Sequence, residues 1–297
     1  MNTYTVKSGE LDIFVNEYIP AKVDNPTDVF ETIIFLHYSG GNIKMWDKVI
    51  PHFQSSYRLV LIDLRGHGKS SKPKLGYHID DMAKDVMQVL KALQIRQAHI
   101  VGSSMGAEVG LALTRFMNDR VQSLTCEGAL YSEFGPFGIF NGPKQAFDNM
   151  VKTSINTYKN RKEACAPSLD ALIDQTKAQF IESGIWNDQF ESIIRYGAYP
   201  LPNGQFVTGM SRDILVEYMK HYYTYKFEDY YKELSCPVLM LPHADPETKK
   251  EIDIMNALMT LTNDCHIHQI EKWQHAYGWI LNPSEASQTV LDFIGGK

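Results

Sequence analysis

The chain has 297 residues, 44% of them apolar and 22% charged, with a formal net charge of −6. That balance suits one large globular domain, or a core carrying an inserted second unit. It argues against a nucleic-acid surface, since no basic run occurs, and no apolar run reaches the length of a membrane-spanning helix.

Residues 1–18 alternate polar and apolar side chains and predict two strands, with no apolar signal segment. Short apolar runs at Thr32–Leu36, 59–62, 98–101 and 123–126 predict buried strands. Between them lie periodic, helix-like segments at 46–53, 80–93 and 104–117, the last placing Val109, Leu111, Leu113 and Phe116 on a packed helix. Strands alternating with helices imply an α/β fold with a mainly parallel sheet covered on both faces.

From about residue 131 to 232 this rhythm breaks. Ser168 opens a serine-capped helix whose apolar face continues through Phe180 and Ile181, and Ser211 opens another. The loop 199–204 separates helical pieces, and no convincing buried strand occurs. The pattern resumes with strand Val238–Leu241, helix 247–261, strand 266–270 and helix 284–294. A core of 1–130 and 233–297 carrying a helical cap of 131–232 is therefore expected. Cys126, Cys165, Cys236 and Cys265 are scattered without C-x-x-C spacing, which predicts buried thiols in a reducing cytoplasm and neither a zinc site nor a disulfide framework.

The richest stretch is Val101-Gly102-Ser103-Ser104-Met105-Gly106-Ala107, a Gly-x-Ser-x-Gly pattern between a strand-like and a helix-like run. A serine at such a corner is held in a sharp turn with its hydroxyl clear of the backbone, and the flanking glycines avoid collisions that a Cβ would cause. The helix N-terminus behind it offers N–H groups and a positive partial charge to a developing oxyanion. A serine hydroxyl needs a base, and the base needs an acid. His275 lies in a loop after the final predicted strand, and Asp245 lies just past the preceding one. Both positions fall at strand carboxyl ends, where open α/β sheets collect catalytic groups. Glu127, at the end of an earlier strand, reads first as a satisfied buried carboxylate, with a backup acid or an anchor for a cationic substrate group as the alternatives.

Five segments together resemble the α/β-hydrolase superfamily, in its branch with a lid between strands six and seven. They are His37-Tyr38-Ser39-Gly40-Gly41, Asp63-Leu64-Arg65-Gly66-His67-Gly68-Lys69-Ser70, Gly102 to Gly106, Pro237 to Pro246, and the loop holding His275. The resemblance covers the core and leaves the insert unmatched. It implies an α/β-hydrolase fold with Ser104 as nucleophile, His275 as base and Asp245 as acid. It also implies an oxyanion hole from the N–H groups of Ser39 and Met105, worth roughly 3–4 kcal/mol per donor. Two positions depart from the family pattern. Tyr38 stands where glycine is usual, and the loop before Asp245 is about one residue shorter, with His243 in place of glycine.

His37 and His67 sit in glycine-rich loops and are expected to tie backbone groups together. Asp63, Arg65 and Lys69 are expected to hold a turn by charge-assisted bonds. Tyr38, Glu127 and His243 are candidate pocket residues. The dense run Tyr218, Tyr222, Tyr223, Tyr225, Phe227, Tyr230 and Tyr231 is expected to be core for the most part, with some rings facing a substrate. The expected activity is hydrolysis of a small ester or related acyl compound, with no metal and no cofactor. A C–C hydrolase of a diketone-like substrate is the nearest alternative, and a non-catalytic ligand receptor on the same fold is the alternative from another class.

Overall fold

Alternation along short strands sets the layering. The computed structural model describes residues 1–21, 30–128, 130–242 and 249–296. In β3 (Thr32–Leu36), Ile34 and Leu36 join one hydrophobic layer while Ile33 and Phe35 join the other. The same split divides Val60 and Ile62 from Leu59 and Leu61 in β4 (Arg58–Ile62). It also divides Ile100 from Val101 in β5 (Ala98–Ser103), and Val238 and Met240 from Leu239 and Leu241 in β9 (Val238–Leu241). Each such aliphatic, taken out of water, contributes about 1.5–3 kcal/mol before chain entropy is counted.

With β1 (Asn2–Ser8), β2 (Leu11–Tyr18), β6 (Val121–Glu127) and β10 (Cys265–Ile267), these strands form one eight-stranded sheet in the order β1-β2-β4-β3-β5-β6-β9-β10. Only the pairs β1–β2 and β2–β4 are antiparallel. Helices α2 (Ile79–Ala92), α3 (Met105–Phe116) and α9 (Lys249–Met259) supply residues to the first layer. Helices α1 (Ile50–Phe53), α10 (Gly278–Leu281) and α11 (Pro283–Ile294) supply the second. The expected α/β-hydrolase fold, with a mostly parallel sheet covered on both faces, is present.

Between β6 and β9 the chain forms α4 (Lys144–Asn160), α5 (Leu169–Glu182), α6 (Asp188–Gly197), a two-strand hairpin of β7 (Tyr199–Pro200) and β8 (Phe206–Val207), α7 (Arg212–Tyr222) and α8 (Phe227–Tyr231). Polar ties fasten this segment to the strand ends. Gln189 donates to the carbonyls of Lys44 and Met45, Asn42 donates to Ile193 O, and Tyr196 donates to Asp63 at 2.8 Å.

Several local expectations need correction. Phe116 is 39% exposed, on the last turn of α3, with the Lys84 ammonium 5.9 Å from its ring centroid. Ile181 is 57% exposed, while Phe180 beside it packs on Phe190 and Tyr277. Ser211 holds the N-cap position of α7 without a capping bond, its hydroxyl bonding Tyr199, while the Glu163 carboxylate takes the Arg212 N–H at 2.8 Å. Ser168 does cap α5, accepting from Ala171 N. The predicted strand 266–270 ends at Ile267, since its partner β9 itself ends at Leu241.

Candidate active site

The turn from β5 into α3 is dictated by close packing. Ser104 adopts φ 51° and ψ −118°, a conformation that side-chain-bearing residues rarely occupy. A Cβ on Gly102 would lie 2.5 Å from Ala107 Cα, and one on Gly106 would lie 2.1 Å from Leu36 O. The two glycines let α3 start tight against β5 and β3, and that start presents the serine. Ala107 and Glu108 donate their N–H groups to Ser104 O. Met105 N–H sits at the first helical position, where no intrahelical acceptor exists.

The loop holding Ser39 is built by two buried histidines. His67 accepts from the Gly40 N–H at 2.9 Å through Nε2, and its Nδ1 lies 3.0 Å from Arg65 O. His37 accepts from the Leu64 N–H through Nε2, and its Nδ1 lies 2.8 Å from Tyr38 O. Burial lowers both pKa values, and each ring serves as a neutral bridge with its Nδ1 as donor. The structural role expected for them is what the geometry shows. Asp63 holds its turn by accepting from Ile43 N and Lys69 N, each at 2.9 Å. Arg65, expected to act in the same turn, instead forms a bidentate pair with Asp85 of α2.

His275 lies after the last strand and lines a cavity of about 410 Å³ together with Ser104 and Ser39. Its Nδ1 is 2.8 Å from Glu127 Oε1. Glu127 is fully buried at the tip of β6 and accepts from Ser103 Oγ at 2.6 Å and from Trp273 Nε1 at 3.3 Å. Its own carbonyl accepts from Ser104 N, so one residue touches both the elbow and the imidazole. Gly128 has φ +101°, and a Cβ there would lie 2.7 Å from His275 Cε1. Burial by itself would lower the His275 pKa; the charge and hydrogen bond of Glu127 outweigh it, with smaller help from Glu108 and Glu251, and the pKa is raised.

Among the described residues the carboxylate set against His275 is Glu127, where the first expectation was a satisfied buried group. Asp245 and His243 lie outside the described residues. Tyr38 lines a neighbouring cavity of about 390 Å³ with Phe180, Phe190, Met210 and Tyr277, which meets the first at Ser39 and Leu215. Of the tyrosine-rich run, Tyr218 and Tyr222 face the cavity of Ser104, whereas Tyr225, Phe227, Tyr230 and Tyr231 are core.

Ser103, Trp273, Glu108, Tyr131 and Glu251 were not singled out from the sequence. Glu108 carried a signal: it stands four residues after Ser104, on the same helix face, in a run otherwise made of apolar residues and glycine. Burial pushes its carboxyl up to about 7, against a lowering by Tyr218 and His275. Among the described residues, no cluster of three or more His, Cys, Asp or Glu is placed to hold a metal ion, and no helix is long and apolar enough to cross a membrane.

A sharply turned serine, a histidine backed by a buried carboxylate and a cavity between sheet and helices define a class of fold. The family model described as alpha/beta hydrolase fold matches residues 31–208, and the chain belongs to that family. It is 38% identical over 99 residues to 3-oxoadipate enol-lactonase 2 of Acinetobacter baylyi, an alignment covering 33% of this chain and 35% of the relative. It is 30% identical over 171 residues to the bifunctional esterase/perhydrolase DCH of Acinetobacter calcoaceticus, covering 55% and 56%. The chain therefore spans roughly a third to a half of the length of these curated relatives. The crystal structure of E-2-(acetamidomethylene)succinate hydrolase superposes with a TM-score of 0.74 at 17% identity over 99% of both chains, a likeness of fold.

Proposed function

We propose that this protein is a serine hydrolase that cleaves a small ester or related acyl compound through an acyl-enzyme. Ser104 attacks the carbonyl, His275 takes the proton and returns it to the leaving group, and Glu127 holds the imidazole tautomer and stabilises the imidazolium. The N–H groups of Ser39 and Met105 receive the oxyanion. The segment 131–232 acts as the cap that closes the pocket. The observation that carries this reading is the 2.8 Å contact from His275 Nδ1 to buried Glu127, with His275 lining the same cavity as Ser104. That contact directs the basic Nε2 away from the carboxylate, free to receive a proton. The names of the two curated relatives, a lactonase and an esterase, favour acyl–oxygen cleavage over C–C cleavage.

The test combines a fluorophosphonate probe with turnover of nitrophenyl esters of graded acyl length. Labelling confined to Ser104, with release of nitrophenol that Ser104→Ala abolishes, is the expected result. Labelling without turnover of any ester supports the receptor alternative, and two carbon fragments from a diketone support the C–C alternative. Unlabelled Ser104 in folded protein overturns the nucleophile assignment.

A further inference from the structure

The cavity that holds Ser104 and His275 has an unusual wall. Glu108 and Glu251 line it, together with Tyr131, Tyr218 and Tyr222. Glu108 is only 5% exposed, and among the described residues its carboxyl bonds one partner, the Tyr218 hydroxyl, which lies 2.9 and 2.8 Å from its two oxygens. A phenol has one proton to give and a carboxylate has about four acceptor sites, so most of that capacity is left for something in the cavity. Glu251 accepts from Tyr131 at 2.8 Å, and Tyr222 bonds Glu133 behind the wall. Among the described residues no lysine or arginine lines this cavity, and the cationic group they can supply is the His275 imidazolium formed during turnover. Arg161 lies in the adjoining compartment, whose wall is mainly aromatic and aliphatic.

Carboxylates among phenol rings favour a positive charge twice over. The anions attract it directly, and the ring faces add cation–π attraction. An anionic substrate arm would meet like charges in a poorly solvated place and pay for desolvation without a partner. A neutral apolar arm finds its own surface next door, against Phe180, Phe190, Ile193 and Met210. Building on the reading of Ser104 as nucleophile, we propose that the substrate carries an ammonium group, held by Glu108 and Glu251 among Tyr131, Tyr218 and Tyr222, with its apolar portion in the adjoining compartment. The overall charge of −6 points the same way, since it draws cations toward the molecule.

The experiment uses two pairs of esters and leaves open which side of the scissile bond carries the charge. One pair is butyrylthiocholine and its carbon isostere, the dimethylbutyl thioester. The other is the nitrophenyl ester of trimethylammonio-butanoate and its all-carbon isostere, with the nitrophenyl monoester of glutarate as the anionic member. In at least one pair the cationic ester is expected to exceed its neutral isostere in kcat/KM by about tenfold or more, chiefly through KM, with the anionic ester the poorest. Glu108→Gln and Glu251→Gln are each expected to bring that ratio toward one. Equal or inverted ratios in both pairs, with Ser104 labelled and neutral esters turned over, overturn the proposal and leave the hydrolase reading standing. If Ser104 is neither labelled nor active, calorimetric titration with choline decides the pocket separately. Binding that weakens at least about tenfold in both variants supports it, and no binding to the wild type overturns it.

Discussion

At the tip of β6, Glu127 meets three side-chain donors: Ser103, Trp273 and His275. In the first turn of α3, Glu108 meets one among the described residues, the phenol of Tyr218. Both carboxylates are buried, and both act electrostatically on His275. What separates them is the supply of donors. A carboxylate surrounded by N–H and O–H groups has its acceptor sites filled and is held against a fixed partner. One with a single donor holds its proton up to about pH 7 and is completed by a positive group arriving in the cavity. The same residue type therefore does two jobs, and the count of donors assigns them.

The widest test of this contrast is Ser104→Ala, because both roles presuppose the serine as nucleophile. A loss of at least about 10⁴-fold in kcat is expected with an unchanged circular dichroism spectrum. Glu127→Gln comes next, with an expected loss of about 10⁴-fold, since an amide cannot stabilise the imidazolium and selects the wrong tautomer. Its pH profile sharpens the point. The base works as neutral imidazole, so kcat/KM falls as pH drops through the His275 pKa, which Glu127 holds above the ordinary 6.5. In the variant, residual activity should extend to lower pH; an unmoved acid limb would show that Glu127 does not set the titration.

Glu108 makes the opposite kind of contribution. Its carboxyl releases a proton near 4.5 in an exposed chain and near 7 in the fold, so the folded state binds more protons between those values. The stability tied to that group is therefore full below the lower value and is lost as pH rises toward the upper one, by a few kcal/mol at most. Tyr218 and His275 face it and moderate the shift, and Glu133 adds to it. Urea titrations from pH 4.5 to 7.5 should show a shallower decline in Glu108→Gln than in the wild type. Parallel slopes would remove Glu108 from the titration. Ser103→Ala takes one donor from Glu127 and should cost about tenfold in kcat with KM little changed. The smallest effect is expected for Asp245→Asn, within about threefold of wild-type kcat. A larger loss there than in Glu127→Gln would return the acid to the position that the family pattern implies.

Much of the core was legible because its causes are local. Alternation located the two N-terminal strands and short apolar runs the buried ones, and the helix after Ser104 followed from its glycines and its apolar density. Those glycines could be read from the motif, and the structure shows the reason: a Cβ on Gly102 meets Ala107 within the turn, and one on Gly106 meets Leu36 O of the neighbouring β3. The segment 131–232 was less legible. Its helices were visible, yet Ile181 is exposed and the Ser211 hydroxyl bonds Tyr199 instead of capping α7. Of the tyrosine-rich run, composition predicted a mixture of core and pocket, and tertiary packing placed Tyr218, bonded to Glu108 of α3, and Tyr222 at the cavity.

By itself the sequence determined the layered α/β core, the sharp turn at Ser104 and the structural part of His37 and His67, and it singled out His275, which lines the same cavity as Ser104. Each rests on short-range sterics, hydrophobic periodicity or motifs contiguous in the chain. Tertiary structure decided which carboxylate stands behind His275 and which stands open to the cavity. Glu127 is 148 residues from His275, and Tyr218 is 110 from Glu108. No local pattern records such distances. The register of β6 beside β5 and β9, and the docking of α7 over α3, bring these groups within hydrogen-bond reach, and burial then makes the number of donors decisive.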